Sequence, residues 1–577
     1  MTDRSLIRFF LGFTRHYKWR FLLAFSLMPV YAALMSISPI VTQRAIDFGI
    51  VEGDLKYTIT AGFVYLGLLL LAFVTMIVQN ISMQSAGIRT LAGIRAKVMR
   101  HICFLGKDRY DKQPLGVYVS RTTSDVEAIG ETMTAGLTNL IGDALLILFI
   151  FINILLVNVQ LGLWTLILLP LLILIVDVFR RVLRRLFDQI RTINGRLTAR
   201  VNEALTMVFE LQNFNLTTAF MADFEKQNNK YRDKNIQTIS HEALLFSIIE
   251  GMSFIAIGAV LILVARSSLL DDGLRIGGIV AYIQWLWLIF PPIKQMGGRF
   301  AVLQSALAAV NKIHQVMSIP LPDDRGTESV AGTDLELQNL SFSYIRDEPV
   351  LNGINLQVAT ASSLAIVGPT GSGKSTIIRL LTRQYDLEPD NGEILLGNTS
   401  IRQIPRQRLK EMVVLVPQEP SIFHETVFYN IALNRPDVTE AQVEDICRDI
   451  MADEFIRQLP DGYRTVLDSE GTNLSMGQRQ LIALARALAS PAEILIFDEA
   501  TANIDTRTEI MIQKALDYVM QQKTTILIAH RLSTIRDVDT IVVLHKGQIV
   551  DRGSHAELLA RPGLYRKMYE LQTRFDH

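Results

Sequence analysis

At 577 residues the chain is long enough for more than one domain. Its 57 basic and 57 acidic side chains cancel, so charge argues for no nucleic-acid partner. A mean hydropathy of +0.27 is too apolar for an ordinary soluble protein, and the excess lies in the first half. The two cysteines, Cys103 and Cys447, are far apart and lack metal-ligand spacing, so they read as free thiols in a reduced compartment.

The N-terminal stretch MTDRSLIRFFLGFTRHYKWR scatters bases among apolar residues and lacks a small-residue cleavage site. It reads as an amphipathic helix at the membrane surface, not as a signal peptide. Six apolar segments follow, at roughly 20–45, 58–84, 135–158, 160–179, 243–265 and 277–300. Each supplies the run of about 20 residues that a helix needs to cross hydrocarbon. The third and fourth are joined only by NVQLG, which predicts a helical hairpin. The gaps at 85–134 and 180–242 are strongly basic, with Arg180, Arg181, Arg184 and Arg185 crowding the start of the second. By the positive-inside rule both gaps are cytoplasmic, and an even number of spans puts both termini there too. Neither gap holds a long proline/glycine break, so both are expected to continue the membrane helices. The lack of a targeting extension fits a bacterial cell (inner) membrane.

Charges inside apolar spans are costly and are candidates for a substrate pathway. Asp143, Glu250 and Lys294 fall in the third, fifth and sixth spans. Glu250 and Lys294 could pair or line a polar cavity; the bland alternative puts all three near the inner interface. YIQWLWLIFPPIKQ (282–295) adds two tryptophans, read as an interfacial belt or a stacking surface, and a Pro-Pro pair expected to break the helix locally.

SIPLPDDRGTESVAGTD (318–334) reads as a linker between a membrane domain, 1–317, and a second domain, 335–577. Beyond it, LELQNLSF, SLAIVG, VVLVPQ, EILIFDEA, TTILIAH and TIVVLHKG alternate with helical patterns. That alternation predicts an α/β domain with a largely parallel core sheet. GPTGSGKST follows one strand and opens a helix, comprising Gly368, Pro369, Thr370, Gly371, Ser372, Gly373, Lys374, Ser375 and Thr376. It fits the P-loop pattern, whose backbone amides curl around phosphates. Lys374 would reach the β- and γ-phosphates, and the Ser375 hydroxyl would ligate Mg2+. ILIFDEA ends a strand with Asp498, placed to hold Mg2+ through water, and Glu499, placed as general base for the attacking water. NLSMGQRQLIALARALAS begins a helix at Ser475, a good N-cap, and so offers a second anion site. Two phosphate-binding helix ends on one chain exceed what one γ-phosphate needs, which points to a dimer.

With these motifs the chain resembles the ATP-binding cassette exporters of the half-transporter type, over nearly its whole length. The resemblance implies six membrane helices fused to one ATP- and Mg2+-binding cassette, working with a second half-transporter subunit to move a small drug-like or lipid-like molecule. It implies that Tyr344 stacks on adenine and that Gln418 touches Mg2+. His530 would contact the γ-phosphate and Asp505 would lie at the dimer seam. Ser475, Gly477 and Gln478 would face the partner's ATP. Residues 110–129 and 210–227 resemble the regions that couple the two domains.

Three positions depart from the family pattern. Met476 replaces the first glycine of the signature pair, Ser469 stands where exporters carry a glutamate, and the D-loop reads ANID. Either Met476 is tolerated because its side chain points aside, or the chain is the glutamate-bearing half of a heterodimer with one slow site. An importer on the same scaffold, or a nucleotide-gated channel or regulator, are the rival readings.

Overall fold

The computed structural model describes residues 12–265, 275–322, 324, 326, 330, 332–345, 347–498, 506–529 and 535–575. They form two compact units, Met1–Phe104 with Pro114–Pro320, and Leu105–Gln113 with Leu321–His577.

The helices of the first half are α1 Lys18–Arg44, α2 Leu55–Cys103, α3 Lys107–Lys112, α4 Leu115–Thr122, α5 Ser124–Glu131, α6 Leu137–Val157, α7 Val159–Thr206, α8 Val208–Asn213, α9 Thr217–Ala265 and α10 Ile276–Met317. Among the described residues five stretches are long and apolar enough to cross a membrane: within Gly12–Ile50, Leu55–Cys103, Leu115–Val157, Thr217–Ile262 and Ile276–Gln295. The fourth expected span lies on α7, where the side chains at 168, 169, 172 and 173 fall outside the described residues. A helix of 48 residues such as α7 extends about 72 Å, more than twice the hydrocarbon thickness. The basic gaps thus continue the membrane helices.

The α6–α7 hairpin turns on one residue. Asn158 is extended, and its side chain accepts the amide of Leu161 at 3.1 Å, capping α7 as α6 ends. A Cβ at Gly162 would lie 2.3 Å from the end of the Leu155 side chain, so a larger residue there would have to push that side chain aside.

Several polar groups in the helical core find partners on neighbouring helices, which offsets the cost of removing them from water. Trp285 is fully buried and its indole donates to the carbonyl of Ser36 at 2.8 Å. Asn153 donates to the Ser36 hydroxyl at 3.0 Å, and Thr165 shares a hydrogen bond with Tyr282. Trp285 is therefore a core residue, neither a belt nor a stacking surface, while Trp287 stays exposed. The expected break at Pro291 and Pro292 does not occur: α10 runs through both. Their missing amides are tolerated because Leu286, Ile289, Phe290 and Ile293 around them are packed into the core.

The second unit carries two sheets. Its strands are β1 Leu335–Ser343, β2 Pro349–Val358, β3 Ser363–Val367, β4 Glu393–Leu396, β5 Thr399–Ser400, β6 Val413–Val416, β7 Ile494–Asp498, β8 Thr524–Ile528, β9 Thr540–His545 and β10 Gln548–Gly553. Six form the order β10-β9-β3-β8-β7-β6, parallel except for the β9–β10 pair. The other four form an antiparallel sheet, β2-β1-β4-β5. Strand β3 is buried on both faces, which explains its unbroken apolar sequence. Leu364 and Ile366 enter one core, and Ala365 and Val367 the other. Its start is fixed by Asp539, whose carboxylate accepts both the amide and the hydroxyl of Ser363 at 2.8 Å.

Cys447 is fully buried, and burial pushes its thiol up to about 12, whereas Cys103 is exposed. Alkylation of the folded chain at pH 8 should therefore modify Cys103 alone. Mass mapping should find Cys447 labelled only after denaturant is added.

Candidate functional site

The loop after β3 is built by backbone constraint. Gly368 has φ +154°, and a Cβ there would collide with the carbonyl of Leu544 on β9. Gly373 has φ +106°, and its Cβ would lie 2.6 Å from the Leu351 side chain. Only glycine meets both demands, so the chain leaves β3, turns tightly and enters helix α11, Lys374–Leu381. Lys374 is buried and folds over its own loop, its amine donating to the carbonyls of Gly368 at 2.8 Å and Pro369 at 3.1 Å. The first amides of a helix lack intrahelical partners, and the helix dipole adds positive potential. The Ser372 hydroxyl, buried beside this loop, makes no hydrogen bond among the described residues. A cradle closed to a Cβ at Gly368 and Gly373, a lysine inside it and an unpaired buried hydroxyl suit an anionic phosphate chain.

The remaining loops reach the same edge because the strands run parallel. Ile366 on β3 and Asp498 on β7 both pair with Ile528 of β8, one from each side. Two strand spacings separate them, about 10 Å. Val416 at the end of β6 pairs with Phe497, which puts exposed Gln418 two residues beyond the same edge. Ligands of open α/β sheets bind at these carboxyl ends. Glu499, Asp505 and His530 lie outside the described residues.

Tyr344 lies beside the P-loop helix. Its hydroxyl donates to the Thr376 hydroxyl at 3.1 Å, and Arg379 donates to it at 3.2 Å. Its ring packs edge-on against Phe342 and Tyr385, with centroids 5.0 and 5.1 Å away. Sequence reasoning missed Tyr385 and Arg379. Tyr385 donates to the carboxylate of Asp111, on α3, at 2.6 Å, within the same compact unit. Burial, with that carboxylate, pushes the Tyr385 hydroxyl well up. The available signal was the aromatic pair at period two in SFSY and an arginine one turn beyond Ser375.

Helix α12, Arg406–Met412, precedes β6 in chain order; α13 Val427–Ala432, α14 Glu440–Asp449, α15 Asp453–Arg457 and α16 Met476–Leu488 separate β6 from β7. Ser475 caps α16 with a reciprocal pair: its hydroxyl accepts the Gln478 backbone amide at 3.2 Å, and the Gln478 side-chain oxygen accepts the Ser475 backbone amide at 2.9 Å. Gly477 is buried. Met476 is half-buried and its sulfur accepts from Arg479, one turn further along the same helix, at 3.4 Å. Arg479 also holds the preceding turn through the carbonyl of Gly471 at 3.1 Å.

In the helical unit, Asp143 forms an ion pair with Arg299, which also donates to the carbonyl of Asn139. The Lys294 amine lies 4.3 Å from the Phe246 ring centroid. Glu250 is exposed, and no ion pair joins it to Lys294 among the described residues. Of the three candidates, Asp143 is thus neutralised within the chain.

The ABC transporter transmembrane region matches residues 21–292, and the ABC transporter family matches 351–502. The chain belongs to the ABC transporter family. It is 32% identical over 579 residues to the ATP-dependent lipid A-core flippase of Nitrosococcus oceani, covering 99% of this chain and 96% of that protein. It is 31% identical over 543 residues to the fatty acid ABC transporter ATP-binding/permease protein of Mycobacterium bovis, covering 93% and 84%. A solved bacterial Atm1-family ABC exporter with ATP bound superposes with a TM-score of 0.79 at 26% identity, covering 96% and 98%. This ABC chain is an exporter-type half-transporter, a multi-pass membrane protein that binds ATP and couples its hydrolysis to transport. Half-transporters of this kind act as dimers. The importer and channel readings are not favoured.

Gly368→Ala should displace the P-loop from Leu544. We expect nucleotide affinity to fall at least tenfold and the melting temperature of the ABC unit to drop, with the φ cost alone about 1 kcal/mol. Fluorescent-ATP titration and calorimetry would measure the two effects.

Proposed function

We propose that this chain exports an amphipathic, lipid-like or drug-like molecule from a bacterial inner membrane, with both termini cytoplasmic. The observation that carries the reading is the pairing, on one chain, of an apolar helical unit with a glycine cradle closed on Lys374. The lipid-named relatives at about a third identity support the substrate class.

The cycle follows from the residues. Lys374 exchanges its two carbonyl bonds for β- and γ-phosphate oxygens, while the α11 amides bind the chain between them. Tyr344 offers its ring to adenine, its position fixed by Thr376, Arg379 and two aromatic edges. Mg2+, when bound, would neutralise developing phosphate charge; Ser375, Gln418 and Asp498 are the residues to hold it. Glu499 takes the proton of the attacking water and His530 steadies the γ-phosphate. Ser475, Gly477 and Gln478 of α16 present their helix end to the ATP of the facing subunit, with Asp505 at the seam. The segments 110–129 and 210–227 carry the closure of the ABC units to the membrane helices, and hydrolysis resets them. Domain limits of 1–317, 318–334 and 335–577 belong to this reading.

Ser469, Met476 and ANID support a partner that differs from this chain, with Glu499 working against the partner's signature and Met476 in the slower site. The Arg479 contact favours a second reading, in which the turned-aside methionine is harmless and two copies pair.

Glu499→Gln should keep ATP affinity and lower turnover at least 100-fold, on the usual contribution of a general base. Near-normal turnover would remove Glu499 from that role. Lys374→Ala should instead raise the dissociation constant for ATP; unchanged affinity would count against the P-loop assignment. Chain purified alone in lipid should hydrolyse slowly if the partner differs. Two-site turnover unaffected by Met476→Gly would decide for the homodimer.

A further inference from the structure

Helix α7 carries a track whose chemistry changes at one level. Leu163, Ile167, Leu171, Leu174 and Val178 follow each other at spacings of three and four, and each is 47 to 65% exposed. That spacing makes one continuous ridge. The same ridge continues to Arg181 and Arg185, with Arg184 beside them. The opposite face, through Leu183, Leu186, Ile190 and Leu197, is buried or half-buried. The ridge therefore points away from this chain's own helices.

The change of chemistry falls where a membrane would require it. Twenty residues from Val159 span about 30 Å, the hydrocarbon thickness, and end just before Arg180. Arg184 and Arg185 are about one turn further, within reach of lipid phosphates. Their charge is uncommitted. Asp177 engages Arg180 and Arg181, but Arg184 and Arg185 make no hydrogen bond or ion pair among the described residues, and both are exposed.

The geometry points to a binding site for one anionic phospholipid on the outer face of α7. Its acyl chains lie along the Leu163–Val178 ridge and its phosphate sits between Arg184 and Arg185. Guanidinium forks suit phosphate oxygens, and each cation near the surface adds to the attraction for an anionic headgroup. Position below a span accounts for the sign of the charge by the topology rule alone. It does not account for two unneutralised arginines at the end of an exposed apolar ridge.

The test uses the full chain, reconstituted in nanodiscs of phosphatidylcholine with increasing phosphatidylglycerol. A Leu174→Trp reporter should be quenched by brominated phosphatidylglycerol more than by brominated phosphatidylcholine, relative to the parent protein. Arg184→Gln/Arg185→Gln should abolish that preference, weakening phosphatidylglycerol association roughly 30-fold. Arg184→Lys/Arg185→Lys should keep it, and ATP binding should be unchanged in all three. Equal quenching by the two lipids would overturn the site, as would a preference that survives the glutamine variant. No quenching by either lipid would mean that protein, such as the facing subunit, covers the ridge, which also overturns it.

Discussion

The tightest constraint in the second unit is the absence of room at Gly368. The carbonyl of Leu544 on β9 occupies the place a Cβ would take, so the strand must end there in a conformation that only glycine adopts readily. From that point the chain has one compact way forward, a turn closed by Lys374 and a helix beginning at the same lysine. The parallel order of β3, β8, β7 and β6 then brings Asp498 and Gln418 to the edge where the loop lies. A sheet paired otherwise would carry the same motifs and assemble nothing.

The helical unit obeys a different constraint, that polar groups removed from water must find partners. Ser36 illustrates it: its carbonyl takes the Trp285 indole and its hydroxyl the Asn153 amide, so three helices meet at one serine. Asp143 and Arg299 neutralise one another, and Lys294 rests on an aromatic ring. Lys294 is held by an electrostatic contact that needs no acidic partner. Of the three candidates Asp143, Glu250 and Lys294, Glu250 makes neither an ion pair nor an aromatic contact among the described residues.

Much of this was legible in residue order. Apolar run lengths gave the membrane helices and the alternation of β-branched runs gave the core sheet, because burial on both faces removes polar residues from a strand. The capping of α16 by Ser475 was readable from its spacing to Gln478, since that pair is local. The four-stranded antiparallel sheet was mostly missed. Its strands β4 and β5 are four and two residues long, too short for periodicity to register. The Pro-Pro pair was misread for the opposite reason: a local rule was applied where packing of the surrounding apolar face prevailed.

Sequence alone determined the identity of the chemistry, because the P-loop glycines, Lys374 and the acids of ILIFDEA stand in short local patterns that recur at set spacings. It also determined which segments belong in a membrane, a matter of counting apolar residues. Only tertiary structure decided what each polar group does once there. Trp285 is a core donor, Asp143 is paired, Tyr385 ties the Asp111 segment to the aromatic edge of Tyr344, and Met476 turns to Arg479. The physical reason is common to all four. Their partners are set by the packed fold or by where a side chain turns, and no residue's own identity names the group it will meet.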